Sequence, residues 1–420
     1  MIAQWKRRKN RQAGAAIIVI IVAMTIVAIM GTAMLSLFTS STISELFINN
    51  RHKAFYLAQA GRNYATLTIL NAYNSADMAI ITGLNGQTFT LDGNQFYLST
   101  NKQSAGITVV ESTGIVNPGT ALETKQKIAF TVRDPTVITG AASVGAFTLN
   151  SQSFIDGYDS TGGHVYNQAV DRPKNLGIVQ TNSLSHGAFT LNKSDVIYGA
   201  AYCGVGCVAT PCTSSGNIFL CYSGSIIKLG TFAATKNNPT PVLVLPTGGT
   251  NVVINGSGSS KQNQVTNISA GKWRARTETN GTSLTVNNST INITGDVTLI
   301  VDNSLTLINA SKIVLADGAT LVLWINISLS AGGTSKLNID AAGNPRPPPN
   351  MLIKGIQMTT LSFVQDSRTY CAIYAPGSSV HIDQTSEVFG SFYANTIALD
   401  GGLLHCDMAL SESKATYVGY

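Results

Sequence analysis

The chain has 420 residues, 44% of them hydrophobic and only 11% charged, with 39 glycines. Charged residues usually make up roughly a quarter of a globular chain, so this composition excludes a charge-rich disordered protein and fits a turn-rich exported β protein better than a cytosolic enzyme. Of the formal charge of +6, Lys6, Arg7, Arg8, Lys9 and Arg11 supply five units and leave +1 for residues 12–420, which excludes the basic face that a nucleic-acid binder needs to displace counterions.

Residues 15–35 are uncharged and almost wholly apolar, and no ionised side chain follows Arg11 until Glu45. At about 1.5 Å per helical residue they cover about 30 Å, the thickness of a bilayer core. The basic flank holds the N-terminal side in the cytoplasm and sends the rest of the chain outward. A secretory signal has a shorter apolar core, about 7–15 residues, and an A-x-A-like cleavage site, so a membrane helix is the better reading. In "FTSSTISELFINN" the spacing of Thr42 and Glu45 is that of a capping box. "RHKAFYLAQAGRNYATLTILNAY" then resumes a helical pattern, with Ala54, Leu57, Ala58, Gly61, Ala65 and Thr68 on one small-residue stripe. A helix over about 15–72 would be about 85 Å long, loosened locally at Gly31 and the Ser/Thr stretch. Its outer half is lipid-like; its inner half must pack on a head domain or on neighbouring helices.

The basic leader, Gly14, the apolar helix and "AFYLAQAGRNYA" together resemble the N-terminus of the PilX-like minor pilins, which are type IV pilus assembly proteins. Where that family carries Ala-Glu-Ala-Gly, this chain has Ala58-Gln59-Ala60-Gly61. The resemblance implies that a prepilin peptidase cuts between Gly14 and Ala15, that residues 1–14 are a leader, and that residues 15–75 join other pilins through Val19, Ala54, Ala58, Gln59 and Gly61. Two positions depart from the family pattern. The first mature residue would be Ala15 in place of phenylalanine, and the fifth would be Val19 in place of glutamate. An unpartnered carboxylate is costly in a low-dielectric setting, so its loss fits a subunit with no neighbour above it, at a filament tip.

From Asn85 to Arg133 the pattern becomes that of strands. Asn85-Gly86 and Asp92-Gly93 read as hairpin turns, "NPG" at 117–119 as a further turn, and "QFYLST", "GITVVESTG" and "KQKIAFTV" as three antiparallel strands. Residues 76–135 are therefore expected to form a small antiparallel β head covering the helix stripe, closed by Asp134-Pro135, and this stretch also resembles PilX-like proteins.

Residues 136–420 alternate short apolar runs with Gly, Asn, Asp and Ser. "YAPGSSVHID" and "YANTIALDGG" recur from Tyr374 to Tyr393, 19 residues apart. This predicts a large parallel β-solenoid, with a β-sandwich as the alternative. "GNPRPPPN" at 343–350 reads as a polyproline-like loop between coils. The Asn-X-Ser/Thr triplets at Asn280, Asn288, Asn292 and Asn326 read as turn and ladder residues. The segment "IYAPGSSVHIDQTSEVFGSFYANTIALDGGLLHCDMAL" is similar to the β-helix region attached to many PilX-like proteins. The fold class is thus mostly β with one long N-terminal α-helix.

Cys203, Cys207, Cys212 and Cys221 lie in an insertion around 200–225, and Cys371 and Cys406 far downstream. The tight C-x2-C knuckles of zinc sites are absent, and an exported chain favours disulfides. Four clustered cysteines allow three pairings, which spacing does not choose between, and Cys371 is expected to pair with Cys406. Asp156 and Asp159, beside glycines, are weak calcium candidates, with an Asx turn as the alternative. His52, His164, His186, His381 and His405 are dispersed, and no G-x-S-x-G, H-E-x-x-H or P-loop occurs. The expectation is a non-enzymatic protein without cofactor. Its partners would be other pilins and minor pilins, the prepilin peptidase and the inner membrane, and it would reach the cell surface or pilus. The alternative is a surface-anchored adhesin or carbohydrate-binding protein, with a surface or glycan ligand, independent of any filament.

Overall fold

The computed structural model describes residues 2–410 apart from 76–77, 105, 135–139, 162–163, 193, 216, 223, 236, 239, 256–261, 357–359 and 384, with side chains from Ile18 onward other than 74–75, 78 and 103–104. A single helix, α1 (Ile2–Ser75), opens the chain. It is not loosened at Gly31 or in the Ser/Thr stretch. The hydroxyls of Thr25, Thr32 and Thr39 each bond the carbonyls three and four residues back, so the polar side chains close on the helix itself. Thr42 does the same to Phe38 and caps nothing, which corrects the capping-box expectation.

A short helix, α2 (Met78–Leu84), follows, and Asn85-Gly86 ends it rather than turning a hairpin; Gly86 has φ +79°, the left-handed geometry of a helix C-terminus. Four antiparallel strands come next: β1 (Thr88–Leu91), β2 (Asn94–Ser104), β3 (Ile107–Val116) and β4 (Thr124–Arg133), in that spatial order. Asp92-Gly93, both at positive φ, turns the first hairpin. That hairpin adds a fourth strand to the three expected. Strict alternation along β3 puts one side chain in two against α1. Ala58, Ala65, Ile69, Ala72 and Tyr73 from α1 share a core with Leu98, Val110, Ile128 and Phe130.

The remaining twenty-six strands form one connected sheet whose ladders between successive coils are all parallel, a three-sided solenoid. Tyr374 pairs with Tyr393, as the 19-residue recurrence predicts, and their rings stack at 5.2 Å. Asn292 bonds Asn267 and Asn288 bonds Asn263 across adjacent coils, while Asn280 sits at φ +61° in a turn. Inward residues of all coils merge into one apolar column.

Coil order in space is not coil order in sequence. Residues 250–407 wind coil upon coil to the strand Glu387–Asp400. On that strand stack Leu403–Asp407 from the C-terminal side and Ala141–Ser143 with Phe147–Asn150 from the N-terminal side. The two ends of the domain thus share one coil. The chain enters at mid-stack, winds outward through Gly177–Thr181 and Gly199–Cys203 to Gly230–Ala233, and must return to the opposite end. The described residues between 234 and 249 make that return as an extended strap. At about 3.3 Å per residue the strap reaches about 50 Å, comparable with the ladder it passes at about 4.8 Å per coil. Its contacts follow the coils in order. Asn182 Nδ2 donates to Asn238 O, the Tyr374 hydroxyl to Pro241 O, and Arg274 Nη2 to Pro246 O. Leu243 and Leu245 cover the outward side chains of Ile300, Val322 and Trp324. This explains why strand Thr320–Ile325 is buried on both faces.

Candidate functional site

Two regions have the chemistry to act on something outside the chain: the helix and a groove on the solenoid. Along α1, Ile18, Val19, Ile20, Ile21, Met24, Val27, Ile29, Met30, Leu35 and Phe38 are all more than half exposed. The helix is long and apolar enough to cross a membrane. Val19 lies on this bare stretch, 67% exposed. Gly14 and Ala15 fall within the helix but ahead of the residues whose side chains are described. One face of the helix becomes covered where the small-residue stripe begins, while Tyr56 and Leu67 stay exposed on the other. Ala54 and Ala58 are fully buried, and Gln59 is half-buried at the stripe's margin. Gly61 lies so close to the sheet that a Cβ there would sit 2.3 Å from Ser112 Oγ. Gly114 on β3 answers it, since its Cβ would meet Ala54 O and Ala58 N. Glycine at both positions allows helix and sheet backbones to approach.

The cysteine insertion closes as Cys203–Cys207 and Cys212–Cys221, at the end of the stack where Gly199–Cys203 and Phe219–Cys221 lie. Cys371 and Cys406 are free and buried, against the pairing expected. The reason is register: Cys371 faces Gly390, and Gly390 faces Cys406. Two coil steps separate the cysteines by about 9–10 Å, beyond the ~7 Å over which a disulfide closes.

Asp156 and Asp159 do not form a calcium site. Asp159 closes an Asx turn by accepting from Thr161 N and Oγ1. Asp156 is fully buried and already engaged by His405 Nδ1 at 2.6 Å, the Tyr166 hydroxyl at 2.5 Å and Arg172 Nε at 3.3 Å. Among the described residues no group of three or more His, Cys, Asp or Glu side chains could hold a metal ion.

That buried carboxylate instead anchors Tyr166 and Arg172, and Tyr158, Ser160, His164, Val165 and Tyr166 form one wall of a groove. The opposite wall is the proline loop, held by Asn338 Nδ2 on Pro347 O and by Arg346 N on Asn338 O. The cavity between them is about 510 Å³. Tyr370 and Phe389 are register partners with rings stacked at 4.6 Å, and the stack continues to His405 at 4.4 Å. Burial pushes the Tyr370 phenol up to about 12, so it remains a neutral hydroxyl. At the rim Arg346 pairs with Asp317 and Arg368 with Glu387. Arg346 Nε is buried and has no hydrogen-bond acceptor. Sequence reading marked the proline loop and the Asp156 loop separately. The signal that could have joined them is that both are long irregular excursions from short-strand coils.

Residues 248–413 match a family of domains of unknown function, DUF7305. That match begins at the end of the strap and covers the coils wound after it. No curated protein matches the sequence. Among solved structures the chain is similar to the competence-associated pilin ComZ from Thermus thermophilus, with 11% identity and a TM-score of 0.30, over 88% of this chain and 90% of that one.

Proposed function

We propose that this chain is a minor pilin: its apolar helix first spans the inner membrane and then packs among other pilins, and its solenoid is displayed outside the cell. The observation that carries the reading is the division of α1. One continuous helix has a stretch from Ile18 to Phe38 with its large apolar side chains bare, and a stretch from Ala54 whose small-residue face is sealed under an antiparallel sheet. Burial of bare apolar surface is favourable at about 25 cal/mol per Å², and a helix without its own cover takes it from lipid or from neighbouring helices. The finer expectations belong to the same proposal. A prepilin peptidase removes residues 1–14, and Val19, lacking the acid that would contact a neighbour, suits a subunit at the tip. The role is assembly and display rather than turnover.

The test is Gly14→Leu in the producing cell together with deletion of the whole gene. The substitution is expected to leave a heavier, membrane-retained precursor, and deletion to reduce the number of pili. An unchanged mass in the variant would refute processing. Normal piliation with lost attachment in the deletion strain would favour a surface-anchored adhesin outside any filament.

A further inference from the structure

We propose that the groove between residues 164–166 and the proline loop is a binding site for a short neutral saccharide. Four observations converge on that ligand class. The cavity of about 510 Å³ lies within the usual range of small-molecule sites, about 300–1,000 Å³. Its lining is mixed: Tyr370 and Tyr166, both half-buried, offer apolar ring surface for the C–H faces of a sugar, with the Tyr370 hydroxyl beside it. The rim supplies donors from Arg346 and Arg368 and an acceptor from Glu387, a set suited to hydroxyls, which donate and accept at once. Each rim guanidinium already has a carboxylate partner, so the rim has no surplus charge to favour a phosphate or carboxylate ligand. Arg346 Nε, buried without an acceptor, is a donor that a ligand oxygen would satisfy. A polyproline segment would offer carbonyl acceptors and no backbone N–H donors to Glu387, so it matches only half of this rim.

The site is rigid by construction. Tyr166 is fixed by its bond to buried Asp156, and Tyr370 by its stack on Phe389. Binding would therefore require little ordering of the protein. The proposal does not rest on filament assembly, because binding is read on purified protein whereas assembly is read from pili in the cell.

The experiment is saturation-transfer NMR on the full-length protein in a zwitterionic, sugar-free detergent. The probes are cellotriose, chitotriose and maltotriose, with a proline decapeptide as the rival ligand and inorganic phosphate, which has no C–H protons to read, added as a competitor. Saturation of at least one trisaccharide is expected. Arg346→Ala and Tyr370→Ala should each weaken it about tenfold, a loss of about 1.4 kcal/mol, while Tyr370→Phe keeps most of the ring contribution. Arg346 is partly exposed, so Arg346→Ala carries the test if Tyr370→Ala fails to fold by its melting curve. No transfer to any trisaccharide at millimolar concentration, transfer unchanged in folded Arg346→Ala, transfer only to the peptide, or trisaccharide transfer abolished by equimolar phosphate would each overturn the proposal.

Discussion

Lys354 on the solenoid donates to Asp134, the residue that follows the last strand of the head, at 2.5 Å, and neither side chain is more than 2% exposed. The same ammonium reaches Tyr73 O of α1 at 3.4 Å and lies 4.9 Å over the Trp324 ring. Helix, head and solenoid therefore meet at one buried cation. A second contact, Lys102 to Asp296 at 3.0 Å and to Thr320 at 2.7 Å, fixes the orientation between them.

A buried pair that loses one member leaves an uncompensated charge, which costs about 3–5 kcal/mol, whereas replacing both by apolar groups is often nearly neutral. Asp134→Ala is expected to lower the unfolding midpoint strongly and to raise the protease sensitivity of the junction between head and solenoid. Lys354→Met with Asp134→Leu should recover most of the loss. Thermal melts and limited proteolysis of the three proteins check this, and equal loss in the single and double variants would contradict it.

Gly114→Ala places a methyl group against the α1 backbone at Ala54 O and Ala58 N, where no rotamer change can relieve it. Overpacking of this kind costs about 1–3 kcal/mol. Gly83→Ala, in α2 with nothing within 4 Å of its Cβ, is the matched control and should be neutral or slightly stabilising. Denaturant melts of both variants separate close approach from a general intolerance of substitution.

Burial pushes Asp195 up to about 6, with Asp400 adding to the rise and the N–H groups of Asn192 and Ser153 opposing it. A carboxyl raised in the folded state binds its proton there more tightly than in the unfolded chain. Its ionisation therefore weakens folding as pH rises from about 4 to about 6. The wild-type melting midpoint should include a gain on going from pH 7 to pH 5 that Asp195→Asn lacks. A difference between the two proteins that does not change with pH would contradict this.

Burial raises both remaining thiols, Cys406 to about 12 and Cys371 well above the ordinary range. Neither should react with a maleimide in the native protein at pH 8, since the thiolate is the reactive form. After denaturation without reductant, two alkylations are expected on a chain that keeps Cys203–Cys207 and Cys212–Cys221. Intact mass measurement counts them; none would be inconsistent with the register around Gly390, and six with the two disulfides.

A protease site placed in the exposed stretch Thr247–Gly249 tests the shared coil. Neither disulfide crosses that point. The nicked protein should still elute as one particle, because Leu403–Asp407 and Phe154–Tyr158 remain hydrogen-bonded along their ladder and Phe147–Asn150 stays on Glu387–Asp400. Separation of the fragments without denaturant would mean that the strap, not the stack, holds the domain together.

The sequence by itself determined the apolar character of α1 and its end near residue 75, though not its start at Ile2, the small-residue stripe from Ala54 to Ala65, the parallel solenoid and the pairing of Tyr374 with Tyr393. These are local patterns: helical spacing, alternation, and a repeat between neighbouring coils. Only the tertiary structure decided that the last coils stack on the first, that Cys371 and Cys406 lie two steps apart across Gly390, and that the loops near Tyr166 and Arg346 face each other over one groove. Every coil presents similar inward residues, so composition cannot say which coil lies on which. That choice is made by contacts between segments some 250 residues apart, such as Ser151 with Asp400, and by a strap whose meaning is its reach rather than its residues.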